Sequence, residues 1–280
     1  MRFDLAIDFH GGPRSAWLTR ATGAPRRIGY ALPNRRWAYT ERVPWTRALI
    51  PPRHSVENQF ELVAPLGISP HSAARSPVEM PADAVAAAAV ERRLHDAGVS
   101  PQSSIVIIHV SAGNPFRRWP AAHFARVAAA LATEDPTKRI IITSGPSERG
   151  AADAIAADAQ AHAGDAAERI LRCGEFDLSE LRVLAARAAL YVGGDSGPLH
   201  IAATTNVPIV ALFGPTLPER SMPWRATDAR AMAVDVGPLA CRPCHQRHCV
   251  PGDFRCLTQL APDRVLAAAR QLLNEESPRP

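Results

Sequence analysis

The sequence predicts an α/β protein whose larger part is a parallel β-sheet covered by helices. From residue 104 onward, short runs rich in Val and Ile alternate with longer segments whose apolar residues recur at helical spacing. Strands that are buried on both faces appear as continuous β-branched runs, as in Ile105–Val110, and intervening helices are typical of parallel strands. Residues 1–100 contain fewer such runs and more proline.

The elements of the larger part follow from this alternation. The strands are placed at 105–110, 139–143, 168–172, 189–193 and 207–213. The helices are placed at 120–133, 147–162, 179–188, 198–205 and 262–274. One helix also has its own start signal, because Asp177 and Glu180 are spaced as in a capping box.

The N-terminal part is predicted as a βαβ-like unit that does not complete a domain. Its elements are a strand at 3–9, a helix at 14–22, a strand at 27–31, a short helix near 55–65 and a helix over 82–97, with Pro-rich irregular chain from the second strand to about residue 57. Two strands make a poor independent sheet. We therefore expect an incomplete N-terminal domain with its connector over 1–97 and a C-terminal domain over 98–280.

Composition is that of an ordinary globular protein, with 46% apolar and 21% charged residues. No apolar run approaches the roughly 18 residues of a membrane span, and no secretory signal precedes the first strand, so a cytoplasmic location is expected. Residues 1–53 carry a net charge of +7 and the remainder −2. This basic part would attract a phosphorylated glycolipid or a membrane surface. A bias in genomic base composition explains its arginine content equally well. Nucleic acid is not expected, because no aromatic residues interleave a basic stripe.

The strongest functional segment joins a predicted strand to a predicted helix and reads Gly-Gly-Asp-Ser-Gly-Pro-Leu-His. Glycines allow a ligand to approach the backbone, and N–H groups at a helix start attract anions, so the segment predicts a phosphate-binding loop. Its candidate substrate-binding residues are Asp195, Ser196, Gly197 and His200. Asp195 is interpreted as holding loop donors or accepting sugar hydroxyls. The alternative is that Asp195 or Ser196 only caps the helix.

Two further loops follow predicted strands and open toward the same edge of the sheet. The first contains Arg117 and Arg118, and each guanidinium group can bind two phosphate oxygens at once. The alternative is that both arginines are merely solvated beside a packed Trp119. The second contains Glu148, which either accepts hydrogen bonds from a ribose or simply favours the helix dipole. Ser111 and Gly145 complete the candidate substrate-binding set. Loops at the carboxyl ends of parallel strands share an edge, so we expect these segments to meet one ligand.

Four of the five cysteines lie close together, at positions 241, 244, 249 and 256. Such a group is able to close a tetrahedral zinc site, with His245 or His248 as substitute ligands. The spacing differs from that of the common zinc ribbon, and an odd cysteine total without a signal peptide disfavours a disulfide framework. Free thiols are the preferred interpretation, structural zinc is the alternative, and no metal ligand is assigned.

Taken in order, these segments resemble those of the ADP-heptose:lipopolysaccharide heptosyltransferases, glycosyltransferase family 9. The similar stretches are 4–11 with Arg14-Ser15-Ala16, Arg27–Tyr30, Arg117–Pro120, Ser144–Glu148, Gly194–His200, Leu212–Thr216 and the cysteine loop. The Asp-Ser-Gly-Pro-Leu-His and Phe-Gly-Pro-Thr stretches are the most specific. The absence of the GxxxxGK[ST], GxSxG, HExxH and GxGxxG motifs removes the main support for kinase, hydrolase, zinc-protease and ordinary dinucleotide-binding functions.

The resemblance implies a GT-B architecture of two Rossmann-like domains and a metal-independent, inverting transfer without a cofactor. It implies a nucleotide-sugar donor of ADP-heptose type, held mainly by the C-terminal domain. The implied acceptor is the lipopolysaccharide core, which would face the basic N-terminal part at the inner face of the cytoplasmic membrane. Arg117 stands where the family has a Lys on the donor diphosphate, and Glu148 where an acid meets the ribose.

One departure from the family concerns the catalytic base. Family members begin with a further βα portion whose first loop carries a Gly-Asp motif, and this portion has no recognised counterpart before Phe3. Asp8 is a candidate substitute base or a structural acid at a strand end, so the base stays unassigned. The alternatives to heptosyl transfer are a catalytically silent nucleotide-binding or interaction protein derived from the family, and a sugar-nucleotide epimerase on a similar fold.

Overall fold

The computed structural model of the 280-residue chain describes residues 2–45, 52–69, 76–226, 228–244 and 246–275. The chain divides into two units, of which the first is Met1–Pro77 with Glu219–Ser221 and the second is Val78–Pro218 with Met222–Pro280. Each unit contains its own parallel β-sheet. The predicted α/β class with two parallel-sheet units is therefore confirmed.

The first unit is built on a three-stranded sheet with strand order β1-β2-β3. Its strands are β1 (Leu5–Ile7), β2 (Arg26–Tyr30) and β3 (Glu41–Val43). Its helices are α1 (Pro13–Ala21), a 3-10 helix (Pro33–Ala38), α2 (Ser55–Phe60) and a second 3-10 helix (Glu61–Leu66). The main core of this unit contains Ile28, Tyr30, Val43 and Leu62.

Strand β3 lies where the sequence predicts irregular chain. Only Val43 of its three residues is apolar, so no alternating pattern marks it as a strand. Pairing with β2, from Ile28 opposite Glu41 to Tyr30 opposite Val43, creates the strand. Part of the predicted Pro-rich segment, residues 46–51, and part of the predicted connector, residues 70–75, lie outside the described residues.

The second unit is a six-stranded sheet in which all neighbouring strands are parallel, with strand order β6-β5-β4-β7-β8-β9. Its strands are β4 (Ser104–His109), β5 (Lys138–Thr143), β6 (Ile170–Leu171), β7 (Leu190–Gly194), β8 (Ile209–Leu212) and β9 (Ala231–Val234). The helices after residue 77 are α3 (Ala84–Asp96), α4 (Ala121–Glu134), α5 (Arg149–Ala163), α6 (Leu178–Arg187), α7 (Gly197–Ala202), α8 (Pro218–Ser221), α9 (Arg255–Thr258) and α10 (Pro262–Asn274). The five predicted strands and five predicted helices of this part all form, whereas β9, α8 and α9 are additions.

Different helices cover the two faces of this sheet. Side chains alternate along a strand, so Val106 and Ile108 of β4 face one layer while Ile105 and Ile107 face the other. Helices α4, α5 and α10 form the first layer, and α3, α6 and α7 form the second. The predicted capping box of α6 also forms, since Asp177 accepts from the Glu180 N–H at 2.8 Å and Glu180 accepts from the Asp177 N–H at 3.0 Å.

The division between the units falls at 77/78 rather than at the predicted 97/98. Helix α3, which the sequence analysis placed with the N-terminal domain, packs into the second unit. Its Val90 and Leu94 are buried in the same core cluster as Leu184 of α6. Across the described ranges, no helix is both long enough and apolar enough to cross a membrane.

Candidate functional site

A change of direction in the strand order of the second unit brings two loops together. Strands β4 and β7 are neighbours, although the chain runs from β4 outward to β5 and from β7 outward to β8. Open α/β sheets bind ligands beyond the carboxyl ends of their strands at such a point. A Cβ atom on Gly194, at the end of β7, would lie 3.3 Å from the carbonyl oxygen of Arg117 in the loop after β4. The two predicted loops are therefore in contact.

Arg117 and Asp195 form the centre of this candidate site. The Arg117 Nη1 lies 3.2 Å from the Asp195 Oδ2 and donates to the Asp195 carbonyl oxygen at 3.0 Å. The carboxylate also accepts a 2.7 Å hydrogen bond from the Thr216 hydroxyl. The Asp195 side chain is 4% exposed, whereas that of Arg117 is 30% exposed. Asp195 therefore holds the loop together and orients a guanidinium that stays accessible to a ligand.

The polar residues after β7 do not act as helix caps. Ser196 stands at the N-cap position of α7 but makes no side-chain cap bond, and its buried hydroxyl has no hydrogen-bond partner among the residues described. The Asp195 carboxylate is engaged by Arg117 and Thr216 instead. The capping interpretation is therefore wrong. His200 Nε2 lies 3.9 Å from Asp195 Oδ1, and the space above the Gly197 Cα is open.

A second ion pair joins the loops after β4 and β5. The Arg118 Nη2 lies 2.8 Å from the Glu148 Oε1, and its Nε donates to the Ala112 carbonyl oxygen at 3.0 Å. Ser111 and Gly145 also meet, because a Cβ on Gly145 would lie 3.3 Å from the Ser111 hydroxyl oxygen. The structure thus places the Glu148 loop, after β5, against the Arg117 loop, after β4. The Glu148 side chain is only 12% exposed.

Gln246 is a site residue that sequence reasoning missed. Its Oε1 accepts from the Arg117 Nε at 2.7 Å and from the Asn114 Nδ2 at 2.9 Å. Gln246 adopts a left-handed backbone conformation with φ of 55°, which is uncommon for a residue other than glycine. No sequence signal identifies it, because the contact joins residues 129 positions apart.

The cysteine loop is anchored to the same edge of the sheet by a buried arginine. The Arg242 side chain is 3% exposed, and its Nη2 donates to the Thr216 carbonyl oxygen at 2.8 Å and to Asp235 Oδ2 at 2.9 Å. Its Nη1 donates to the Gly237 carbonyl oxygen at 2.7 Å. Thr216, which bonds Asp195, is thus linked to the segment that carries Gln246.

The four clustered cysteines line a cavity of about 1050 Å³ together with Phe116, Phe254 and His248. All of them are free thiols, so the disulfide alternative does not form. Burial raises the pKa of the Cys256 thiol to about 11, which keeps it protonated and poorly nucleophilic. In the part of the chain that the structure describes, no three His, Cys, Asp or Glu side chains are arranged to hold a metal ion. His245, named as a substitute ligand, lies outside the described residues.

In the first unit, Asp8 serves as a structural acid. Its carboxylate accepts hydrogen bonds from the Tyr39 hydroxyl at 2.6 Å, the Ser15 hydroxyl at 2.9 Å, and the N–H groups of His10 and Gly11 at 3.0 and 2.8 Å. Burial opposes ionisation, but these four bonds outweigh it and hold the pKa of Asp8 below its ordinary value. A carboxylate with so many donors is a poor general base.

Comparison with known proteins identifies related sequences. The profile of glycosyltransferase family 9 (heptosyltransferase) matches residues 1–254. Lipooligosaccharide heptosyltransferase 2 of Campylobacter jejuni is 30% identical over 166 residues, which make up 56% of this chain and 47% of that protein. The chain therefore spans about half the length of this curated relative.

Solved structures show the same fold. The family 9 glycosyl transferase of Veillonella parvula superposes with a TM-score of 0.75 at 20% identity, over 99% of this chain and 75% of that one. The Escherichia coli ADP-heptose lipopolysaccharide heptosyltransferase II superposes with a TM-score of 0.70 at 21% identity, over 97% of this chain and 76% of that one. These neighbours confirm the expected GT-B-type fold.

Proposed function

The chain belongs to glycosyltransferase family 9, and we propose that it transfers a heptose from ADP-heptose to the inner core of lipopolysaccharide. The observation that carries the proposal is the position of Arg117, held by Asp195 and Gln246 at the point where the strand order changes. A preorganised, partly exposed guanidinium is suited to the diphosphate of a nucleotide sugar.

In the proposed reaction, an acceptor hydroxyl attacks the anomeric carbon of the heptose as the bond to the diphosphate breaks. A general base takes the hydroxyl proton, and ADP leaves. Arg117 stabilises the negative charge that develops on the departing diphosphate, and its fixed orientation avoids reorganisation during the reaction. As in the family that the sequence resembles, the transfer uses no metal ion and no cofactor.

Different loop residues contact different parts of the donor. Gly197 leaves room for a phosphate beside the backbone, with Ser196 next to it. His200 lies beside Asp195 and serves as a hydrogen-bonding partner of the donor. Glu148 accepts from the ribose, so its ion pair with Arg118 rearranges or is shared when the nucleotide binds. The contact between Ser111 and Gly145 holds the loops after β4 and β5 close enough for one nucleotide to reach both.

The acceptor is assigned to the first unit. This unit contains a cavity of about 170 Å³ lined in part by Phe9, His10, Tyr30, Trp45 and Ser55. Aromatic walls with a few polar groups are typical of small-molecule sites. The basic charge of residues 1–53 suits a phosphorylated glycolipid presented at the inner face of the cytoplasmic membrane.

A catalytically silent nucleotide-binding protein is the second candidate, and the geometry of Asp8 is the observation that favours it. Asp8 is committed to four hydrogen bonds, so it does not supply the general base. Release of ADP from ADP-heptose in the presence of lipopolysaccharide core acceptor distinguishes the two functions. A silent protein binds the donor without turnover.

Calorimetric titration of the purified chain with ADP, UDP and GDP tests the donor site. We expect selective binding of ADP that falls about tenfold or more in Arg117→Ala, because one charge-assisted diphosphate contact is lost. Asp195→Asn is expected to weaken binding as well, since it removes the charge that orients Arg117. Arg149→Ala, whose side chain is 65% exposed on α5, is the matched control and retains affinity. Equal affinity for all three nucleotides, or none for any, would contradict the proposal.

A further inference from the structure

Helix α1 of the first unit carries large apolar side chains on the face that points away from the unit's core. The helix buries the small residues Ala16 and Thr19. Arg14, Trp17 and Leu18 have the i, i+3, i+4 spacing that places residues on one face of a helix. Trp17 is 63% exposed and Leu18 is 61% exposed. A helix of a globular protein normally turns such residues inward, so this face requires an explanation.

The neighbouring 3-10 helix extends the exposed apolar surface. It packs against α1, with Ala38 and Ala16 in one buried cluster. Trp37 of this helix is 55% exposed, and its indole N–H donates to the Asn34 carbonyl oxygen at 3.2 Å. The polar atom of the indole is therefore satisfied within the chain while much of the ring stays in contact with solvent. An apolar body with a satisfied polar tip is suited to a water–lipid boundary.

The chain segment that forms this surface carries charged side chains of one sign. Between Phe9 and Thr40 the sequence contains six arginines and no Asp or Glu. Arg26 pairs with Glu41, which lies beyond this stretch. Arg14, Arg20 and Arg36 are exposed, and within the described ranges none of them forms an ion pair. The exposed apolar side chains are therefore accompanied by uncompensated positive charge.

We propose that this surface docks the chain on an anionic phospholipid bilayer. We define it as the α1 surface, which consists of Arg14, Trp17, Leu18, Arg20, Arg36 and Trp37. Tryptophan and leucine enter the boundary between head groups and acyl chains, and arginines attract acidic head groups. A helix face of this kind lies in the plane of the interface and does not span the membrane.

Charge complementarity favours a bilayer over a second copy of the chain. Two α1 surfaces placed face to face would bring six or more arginines together without a counter-charge, and like charges across an interface oppose association. An anionic bilayer supplies the opposite charge and an apolar layer at once. The inference is independent of the proposed transfer reaction, because the α1 surface shares no residue with the candidate donor site. Failure of vesicle binding would leave nucleotide binding unaffected, and the reverse also holds.

Vesicle flotation of the full chain tests the proposal. Vesicles of phosphatidylcholine alone are compared with vesicles that also contain phosphatidylglycerol, at low and high salt. We expect binding to the anionic vesicles that weakens with salt, and little binding to the neutral ones. Leu18→Ser is expected to lower the partition constant about tenfold, and Arg14→Gln about fivefold.

Matched variants distinguish binding through the α1 surface from non-specific adsorption of the protein to vesicles. Leu178→Ser changes a leucine on α6 that is 57% exposed, and Arg92→Gln changes an exposed arginine on α3. Both controls are expected to bind anionic vesicles like the unaltered chain. Circular dichroism verifies that all variants keep the same fold, which is expected because the substituted side chains are exposed.

Three results would overturn the proposal. One is equal binding to neutral and anionic vesicles, or to neither. Another is equal loss of binding in Leu18→Ser and Leu178→Ser. The third is that the unaltered chain does not bind vesicles but forms a dimer in sedimentation experiments, and that Trp17→Ser dissociates this dimer. That result would assign the α1 surface to a second copy of the chain.

Discussion

Arg117 contacts Asp195 through both the side chain and the backbone of that residue, with its Nη1 3.2 Å from the carboxylate Oδ2 and 3.0 Å from the carbonyl oxygen. The Asp195 carboxylate is almost removed from water, and its two partners there are the Arg117 guanidinium and the Thr216 hydroxyl. The same contact that orients the guanidinium for a ligand therefore also stabilises the loop after β7. We therefore expect ligand binding and stability to be coupled at this position.

Replacement of Arg117 by Met is expected to lower the free energy of unfolding by about 2–4 kcal/mol, because a buried carboxylate loses its counter-charge. Adding Asp195→Asn removes that charge and restores part of the loss. Urea unfolding of the two single variants and the double variant measures the coupling. Arg149→Met is the control: the Arg149 side chain is 65% exposed and lies 3.6 Å from Glu175, so the substitution is expected to change stability by less than about 1 kcal/mol. Additive effects of the two substitutions would show that the pair is not coupled.

Gln246→Ala is expected to weaken ADP binding about three- to tenfold, since Arg117 would lose the 2.7 Å bond at its Nε and gain rotational freedom. Because Gln246 is only half-buried, the unfolding free energy is expected to change by less than about 1 kcal/mol. Calorimetric titration with ADP measures the first effect. Gln259→Ala, at an exposed position beside α9, is the matched control. Unchanged affinity in Gln246→Ala would mean that Asp195 alone orients Arg117.

His109 is expected to make the second unit sensitive to mild acid. The side chain is buried at the end of β4, its Nδ1 lies 2.9 Å from the Thr143 hydroxyl, and burial lowers the pKa of the imidazole to about 4. The unfolded imidazole titrates near pH 6.5, so between about pH 6.5 and pH 4 the unfolded state binds the additional proton. The contribution of the neutral His109 to the free energy of unfolding is therefore fully present above this window. It falls by up to about 3 kcal/mol as the pH drops through the window.

Urea unfolding across this pH window measures the effect of His109. His109→Gln is expected to reduce the slope of stability against pH, whereas His95→Gln, at an exposed position on α3, is expected to leave it unchanged. A slope that is the same in both variants would show that other groups account for the acid sensitivity.

Gly214→Ala is expected to lower the free energy of unfolding by about 1–3 kcal/mol through overpacking. A Cβ at Gly214 would lie 2.6 Å from Cγ of Leu257, and that leucine of α9 is 1% exposed. Gly150→Ala in α5 is the control, because a Cβ there meets nothing within 4 Å and alanine favours a helix by about 0.5–1 kcal/mol. Thermal unfolding of the two variants should move in opposite directions. A stable Gly214→Ala variant would mean that α9 shifts at little cost.

Elements with a strong local pattern could be predicted from the sequence. Strand β4 is marked by its run of Ile and Val because both faces of the strand are buried, and Asp177 marks the start of α6 through a cap that needs only three neighbouring residues. Strand β9 could not be predicted, because Ala-Met-Ala-Val lacks a β-branched run and forms a strand by pairing with β8. The helix α3 was predicted, but its docking onto the second unit was not.

The candidate site shows the same division. The loops containing Arg117, Glu148 and Asp195 could be located in the sequence, since each follows a strand and precedes a helix. The partners of these residues could not. Glu148 pairs with Arg118, and Arg117 bonds Gln246 across 129 positions of the chain. Local spacing carries no information on such contacts.

Most of the strands and helices, the α/β class of the fold and the three loops at the edge of the second sheet could be read from the sequence, because they depend on short periodic patterns and on residues close in the chain. The folded structure was needed to show which charged groups lie opposite one another, where the two units divide and that Trp17 and Leu18 face outward. These properties depend on contacts between segments that are distant in the chain, and short-range sequence patterns do not encode those contacts.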